Sequence, residues 1–219
     1  SPERLQAVAE AIRAKGGVAH PCAVDLASAN AAERVVSAAK VAMGGIDLLV
    51  NCASLTHNAD FFTVTDEQWD DAFAVKVMAA IRLCRTAWPE LRAHGGSIVN
   101  IGGIGARTPK PFSAVTAATS SSLLAITKLL AEAGVADGVQ VNAINPGVIR
   151  TPRIERTLGQ GDAADAIAAS LDSLAQSLGS RRAGTPEDVA ELVAYIVSPA
   201  GDLLQGAIID LDGGATKGM

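Results

Sequence analysis

GSIVNIGGIGARTPKPFSAVTAATSSSLLAITKLLAEAGVADGVQVNAINPGVIRTP, Gly96 to Pro152, is the stretch from which the rest of the chain can be read. Ser97 to Ile101 is a short apolar run of the kind that forms a buried strand. A loop punctuated by Gly and Pro follows, and then about Ser113 to Glu132 carries helical spacing. A second buried strand, Val139 to Ile144, closes on Asn145-Pro146-Gly147.

Outward from this stretch the same alternation repeats. Residues 3 to 15 predict an amphipathic helix with Leu5, Val8 and Ile12 on one face, stopped by Gly16-Gly17. Val18 to Val24 reads as a short strand ending at Asp25-Leu26. A helix follows over about Ala31 to Met43, and Ile46 to Asn51 is an apolar strand expected to be buried on both faces. On the far side, Ala163 to Leu178 places Ile167, Leu171, Leu174 and Leu178 in helical register. Thr185-Pro186-Glu187-Asp188 is a helix start, with Thr as N-cap, Pro in the first turn and two acids beside it. The helix Val189 to Val197 and a strand Ala207 to Leu211 complete the order. Strand alternating with helix predicts an α/β chain with a doubly wound parallel sheet.

Bulk properties set limits. At 219 residues and 49% hydrophobic, the chain suits one domain, residues 1–219. A net charge of -5 points away from nucleic acid. Cys22, Cys52 and Cys84 fit no metal or disulfide spacing and are expected to be reduced core thiols, so no metal site is expected. No membrane span or secretory signal is expected either, which leaves a cytoplasmic setting.

The run IVNI, the helix carrying LLAITKLLAE, and VQVNAINPGVIRTP together resemble the second half of the short-chain dehydrogenase/reductase family. The resemblance extends over residues 3 to 214, ending on Asp212-Gly213-Gly214, and implies a Rossmann-like sheet. Members keep a Ser, a Tyr and a Lys in the quoted stretch and an Asn in the helix after strand four. In register, the Tyr falls on Thr116, the Lys on Ser120, the Ser on Gly103, and the Asn on Lys76 in WDDAFAVKVMAA. A phenol beside an ammonium is a workable acid, whereas an aliphatic hydroxyl is far too weak. The single tyrosine, Tyr195, lies in another segment.

The resemblance also implies cofactor contacts at Asp25 and Leu26, at Asn51 and Ala53 of Asn51-Cys52-Ala53-Ser54, and at Pro146, Gly147 and Thr151. Asp25 can equally be a helix cap, and the Asn145-Pro146-Gly147 turn can simply end a strand. Ser54 stands where the family has Gly. No G-x-G-x-x-G follows a suitable strand, so the family's first two strands and their phosphate-binding turn are expected to be missing. Three arrangements would answer such a gap: the third strand moves over to the fourth, a partner covers the edge, or further residues exist.

The function expected is that of a non-catalytic subunit, a pseudoenzyme. It would bind no cofactor itself and would support an active NAD(P)-dependent relative in a hetero-oligomer, helices 66–88 and 113–132 meeting that relative or a second copy of this chain. The resemblance implies a role like that of the non-catalytic partner subunits of heteromeric alcohol dehydrogenases, including those acting on CoA thioesters. Two alternatives stay open: an oxidoreductase with a rebuilt site using Lys76, His57 or Lys110, and a small-ligand binding module. Residues 153–182 correspond to the family's substrate lid, and Arg181-Arg182 could meet an anionic substrate or be solvated.

Overall fold

A computed structural model describes the chain except residues 58, 153, 156–163 and 218–219, and the side chains of residues 164–168. Four strands form one sheet in the order β1 (Leu48–Asn51), β2 (Ser97–Ile101), β3 (Gln140–Pro146), β4 (Ile208–Leu211). Every pairing is parallel, with Leu48 beside Ser97, Ile101 beside Ile144 and Pro146 beside Leu211. The carboxyl ends of all four strands therefore share one edge.

Alternation along the strands sends side chains to two separate cores. Ile98 and Val141 point to one face, among Val36, Cys84, Ala87, Leu91 and Ala131. Val99 and Ile144 point to the other, against Ile196, with Leu192, Val193 and Ile209 around them. The first core is closed by α2 (Ala31–Met43), α4 (Ala79–His94) and α5 (Ala114–Asp137), the second by α7 (Pro186–Ile196). Helices on both faces of a parallel sheet are what the alternating sequence predicted.

Helix boundaries follow local chemistry. Thr65 caps α3 (Asp66–Ala72) in a reciprocal box with Gln68, and Thr185 caps α7 in the same way with Asp188. Gly44, Gly95 and Gly138 end α2, α4 and α5 at positive φ, which glycine adopts without a Cβ penalty. Gly134 is required for another reason: a Cβ there would run into the Val139 carbonyl where α5 turns back into β3. Residues 111–137 are long and apolar enough to cross a membrane by length and composition, contrary to expectation. Here they pack against β3, with Val115, Leu123 and Ala131 buried.

Several expectations need correction. Val18 to Val24 forms no ladder, and the strand does not move across to β1. The segment is held at its ends instead, by Arg13 on the Ala19 carbonyl and Arg82 on the Ala27 carbonyl. Leu48 and Val50 of β1 are partly exposed rather than buried on both faces, because β1 is an outer strand among the described residues. In α1 (Pro2–Ala14) Leu5, Val8 and Ile12 are exposed and only Ala9 is buried. Of the three thiols, Cys84 alone is in the core; Cys22 is half-buried and Cys52 exposed. The helix predicted over 163–178 is α6 (Ala164–Ser177), which buries Leu171 and Ala175, while Ile167 lies outside the described side chains. Of the segment expected to be a lid, residues 153 and 156–163 are likewise outside the description.

Candidate active site

Lys76 is the residue on which the site turns. It lies in a π-helical stretch, Phe73–Met78, inserted between α3 and α4. Such wide turns are rare and concentrate at functional sites, because they re-aim side chains that a regular helix would carry elsewhere. Lys76 is only 3% exposed. A buried ammonium needs hydrogen-bond acceptors, and it donates to Ser120 Oγ at 2.7 Å and to the Gly102 carbonyl at 3.2 Å.

The acceptors come from two other elements. Gly102 and Gly103 begin the loop after β2, and a Cβ on Gly102 would run into Asn145 Oδ1. That loop is fixed from the end of β3: the Gly103 amide donates to Asn145 Oδ1 at 3.1 Å, and Asn145 Nδ2 donates to Asp210 Oδ1 of β4 at 2.9 Å. Arg107 adds an ion pair to the same Asp210 oxygen at 3.4 Å. Ser120 is fully buried on α5, one turn after Thr116 and on the same helical face. A Cβ placed on Gly103 would meet nothing nearer than Ser120 Oγ, at 3.4 Å.

Lys76, Gly103 and Ser120 thus come together at the carboxyl edge of the sheet, with Thr116 on the next turn of the same helix. The resemblance placed an Asn at 76 and a Lys at 120. The molecule carries the reverse sizes, a long amine on the α3–α4 side and a short hydroxyl on α5. The amino group therefore reaches Ser120 from the opposite wall. Sequence reading paired Lys76 with nothing, since its partner is 44 residues away and not at helical spacing. The available signal was the matched exchange, long for short at one position and short for long at the other.

Thr116 Oγ1 is buried and has no hydrogen-bond partner, as is His57 Nε2 in the loop after β1. An unsatisfied buried hydroxyl costs about 1–3 kcal/mol, so Thr116 holds an unused donor and acceptor beside the Lys76 and Ser120 pair. Lys110 is exposed, in the loop after β2.

The remaining residues flank the cluster along the same edge. Asn51 is buried and donates to Asn100 Oδ1 at 2.8 Å, and Asn100 passes the chain of bonds to Thr127 Oγ1 at 2.9 Å. Ala53 is exposed at the end of β1. Asp25 is exposed and its carboxylate accepts from the Ala27 amide, closing a local turn with Leu26 half-buried beside it; it does not cap α2, whose N-cap is Asn30. Pro146 ends β3, and Gly147 lies so close to Asp212 that a Cβ would sit 2.9 Å from its Cα. Thr151 Oγ1 accepts from the Ile154 amide at 3.5 Å. Arg182 is no free cation: it grips Asp188 with both terminal nitrogens at 2.7 and 2.8 Å, which holds that carboxyl well below the usual range.

Three short segments converge at the carboxyl edge of the sheet, where the resemblance puts the nicotinamide side of a cofactor. Asn51 to Ser54, Gly102-Gly103 and Asn145 to Gly147 lie side by side outside the carboxyl ends of β1, β2 and β3, where open α/β sheets take flat ligands. Gly103 keeps the floor between them low, with open space around its Cα except at Ser120.

Comparison with known proteins points to one family. The family profile described as enoyl-(acyl carrier protein) reductase matches residues 1–216. An uncharacterized oxidoreductase of Mycobacterium tuberculosis is 35% identical over 215 residues, 97% of this chain and 78% of that protein. The short-chain reductase protein NovJ of Streptomyces niveus is 31% identical over 211 residues, 95% of this chain and 79% of its own. Among solved structures, L-sorbose reductase from Gluconobacter frateurii, complexed with NADPH and L-sorbose, superimposes with a TM-score of 0.92 at 30% identity, covering all of this chain and 85% of that one. On its motifs, its parallel sheet and these relatives, the chain belongs to the short-chain dehydrogenase/reductase family.

Proposed function

We propose that the protein is an NAD(P)-dependent oxidoreductase of this family in which Lys76 supplies the proton exchanged with a carbonyl or carbinol oxygen. The observation that carries the reading is the 2.7 Å hydrogen bond from Lys76 Nζ to Ser120 Oγ. An ammonium and a phenol are acids of similar strength, with reference pKa values of about 10.4 and about 10. Loss of the tyrosine therefore need not mean loss of an acid, provided an ammonium reaches the same place. Bound NAD(P)H would supply the hydride. The chain's residues handle the oxygen: Thr116 Oγ1, without a partner of its own, donates to it, and Ser120 relays the proton that Lys76 gives up. In the alcohol-to-carbonyl direction the path runs in reverse, with the neutral amine as base. NADPH in the sorbose reductase complex supports the cofactor class, and Asn51, Ala53, Pro146, Gly147 and Thr151 are the residues here that would hold its nicotinamide side, with Asp25 and Leu26 at its adenine.

The non-catalytic subunit remains the second reading. It is favoured by the depth at which Lys76 is buried, where a mere structural tie would also sit, and by the exposed Met78 and Leu129 on the helices expected to meet a partner. One experiment separates the two. The 219-residue chain is incubated with NADPH or NADH and a panel of ketones that includes L-sorbose, while reduced nicotinamide is followed by absorbance. Consumption matched by alcohol formation in the chain alone supports the oxidoreductase. Consumption only when an active relative is added, with a mixed oligomer in native mass spectrometry, supports the second reading.

A further inference from the structure

The loop that leaves β2 is held one peptide unit after another. The Gly102 amide donates to the Ile144 carbonyl at 2.8 Å, and the Gly103 carbonyl accepts from the Ala106 amide at 3.0 Å. Between these backbone bonds lies the peptide joining Gly102 to Gly103, and both of its polar groups are met by side chains. Its carbonyl accepts from Lys76 Nζ at 3.2 Å, and its N–H donates to Asn145 Oδ1 at 3.1 Å. With glycine on either side, this unit has no Cβ to resist rotation. Rotated by half a turn, it would present its N–H to the Lys76 ammonium, a donor facing a donor.

Which way the peptide points depends on Asn145, whose amide has an acceptor end and a donor end. Asn145 is fully buried and is the register partner of Asp210 across β3 and β4, so the two side chains leave the sheet on the same side. An ionised carboxylate only accepts. Asp210 Oδ1 therefore takes the Asn145 Nδ2 donor at 2.9 Å and leaves Asn145 Oδ1 for the Gly103 N–H. Arg107, further along the loop, meets the same Asp210 oxygen at 3.4 Å and ties the carboxylate in place. Donation thus runs in one direction from Lys76 through the peptide and Asn145 to Asp210, and polar groups aligned in this way strengthen one another.

We infer that Asp210 is a positioning residue: by only accepting, it fixes the Asn145 amide, then the peptide between Gly102 and Gly103, and so the direction in which Lys76 is aimed. It acts on the amine through these intermediaries, three hydrogen bonds away. Its importance to turnover rests on the reading of Lys76 as proton source, whereas the lock on the peptide stands apart from that reading.

The test is hydrogen exchange at the Gly103 amide, followed by NMR on the full isotope-labelled chain, with ketone reduction measured beside it. Asp210→Asn keeps the shape of the side chain but offers a donor as well as an acceptor, so the orientation of Asn145 is released. Gly103 should then exchange about threefold to tenfold faster, the factor carried by one neutral hydrogen bond. The kcat should fall by a similar factor with the ketone KM unmoved, because the change reaches the amine. The swap Asn145→Asp with Asp210→Asn moves the acceptor-only group next to Gly103 and should restore slow exchange. Should the swap fail to fold, Asp210→Glu takes its place: it keeps an acceptor-only group on β4 and should exchange more slowly than Asp210→Asn. Exchange in Asp210→Asn equal to wild type, or an acceleration that neither the swap nor Asp210→Glu reduces, overturns the inference. So does a raised ketone KM at unchanged kcat, which would place Asp210 in substrate binding. Acceleration in Asp210→Asn reversed by the swap, in a chain whose wild type reduces no ketone, would sustain the lock and defeat only the functional reading.

Discussion

Removing the Ser120 hydroxyl should damage the molecule more than removing the Lys76 charge. In Ser120→Ala the buried ammonium keeps the Gly102 carbonyl but loses the 2.7 Å bond. A hydrogen bond to a charged group contributes about 1.5–3 kcal/mol, and Lys76 is only 3% exposed. Lys76→Met keeps the length of the stem and deletes the charge, and replacing a buried charged group by an apolar one of similar volume is often neutral or stabilising. The double variant then needs no acceptor at 120, so the two changes should couple by about 1–2 kcal/mol. Urea unfolding of the four proteins reads this directly: Ser120→Ala should lower the midpoint clearly, Lys76→Met should not, and adding Lys76→Met to Ser120→Ala should restore most of the loss. Additive effects, or a Ser120→Ala midpoint equal to wild type, would refute the pairing of these two side chains.

Other perturbations test the surrounding framework. Burial pushes the Cys84 thiol up to about 11, its bond from Asn51 opposing only in part, so a thiol reagent at neutral pH should label Cys52 and then Cys22, and reach Cys84 only on unfolding. Asp188, held ionised first by its bond from Arg182 and then by the Thr185 amide, has a folded pKa below its unfolded value. Its contribution to stability is therefore present above pH about 4 and lost as pH falls below that, and Asp188→Asn should flatten the acid limb of a pH series of urea midpoints. Gly147→Ala should destabilise by about 1–3 kcal/mol through overpacking against Asp212, seen as a lowered melting temperature, whereas Gly103→Ser should fold normally because the nearest atom is a movable hydroxyl.

How much of this was legible beforehand depends on the range of the interaction involved. The helix start at Thr185 is set by neighbours a few residues apart, and β2 and β3 are apolar runs whose composition suits the buried middle of the sheet, so the sequence shows them. Val18 to Val24 has the composition of a strand and is none, because a strand exists only against a neighbour, and no local pattern reports whether one is there. The exposed faces of α1 and β1 differ from expectation for the same reason. In the site, the positions 76, 103, 116 and 120 were identifiable by register alone, but their chemical meaning was not. Reading each position by itself gives four losses. Only the fold shows that the Lys76 amine occupies space beside Ser120, so that two of the losses form one exchange.

The central claim is that Lys76 is the proton source. It is tested most directly by single-turnover reduction of a ketone at saturating NADPH, comparing wild type with Lys76→Met, alongside NADPH affinity measured separately. The account predicts a rate lower by at least about a hundredfold in Lys76→Met, the low end for general acid catalysis, with cofactor affinity unchanged. An unchanged rate in Lys76→Met would contradict it and move the chemistry to another residue.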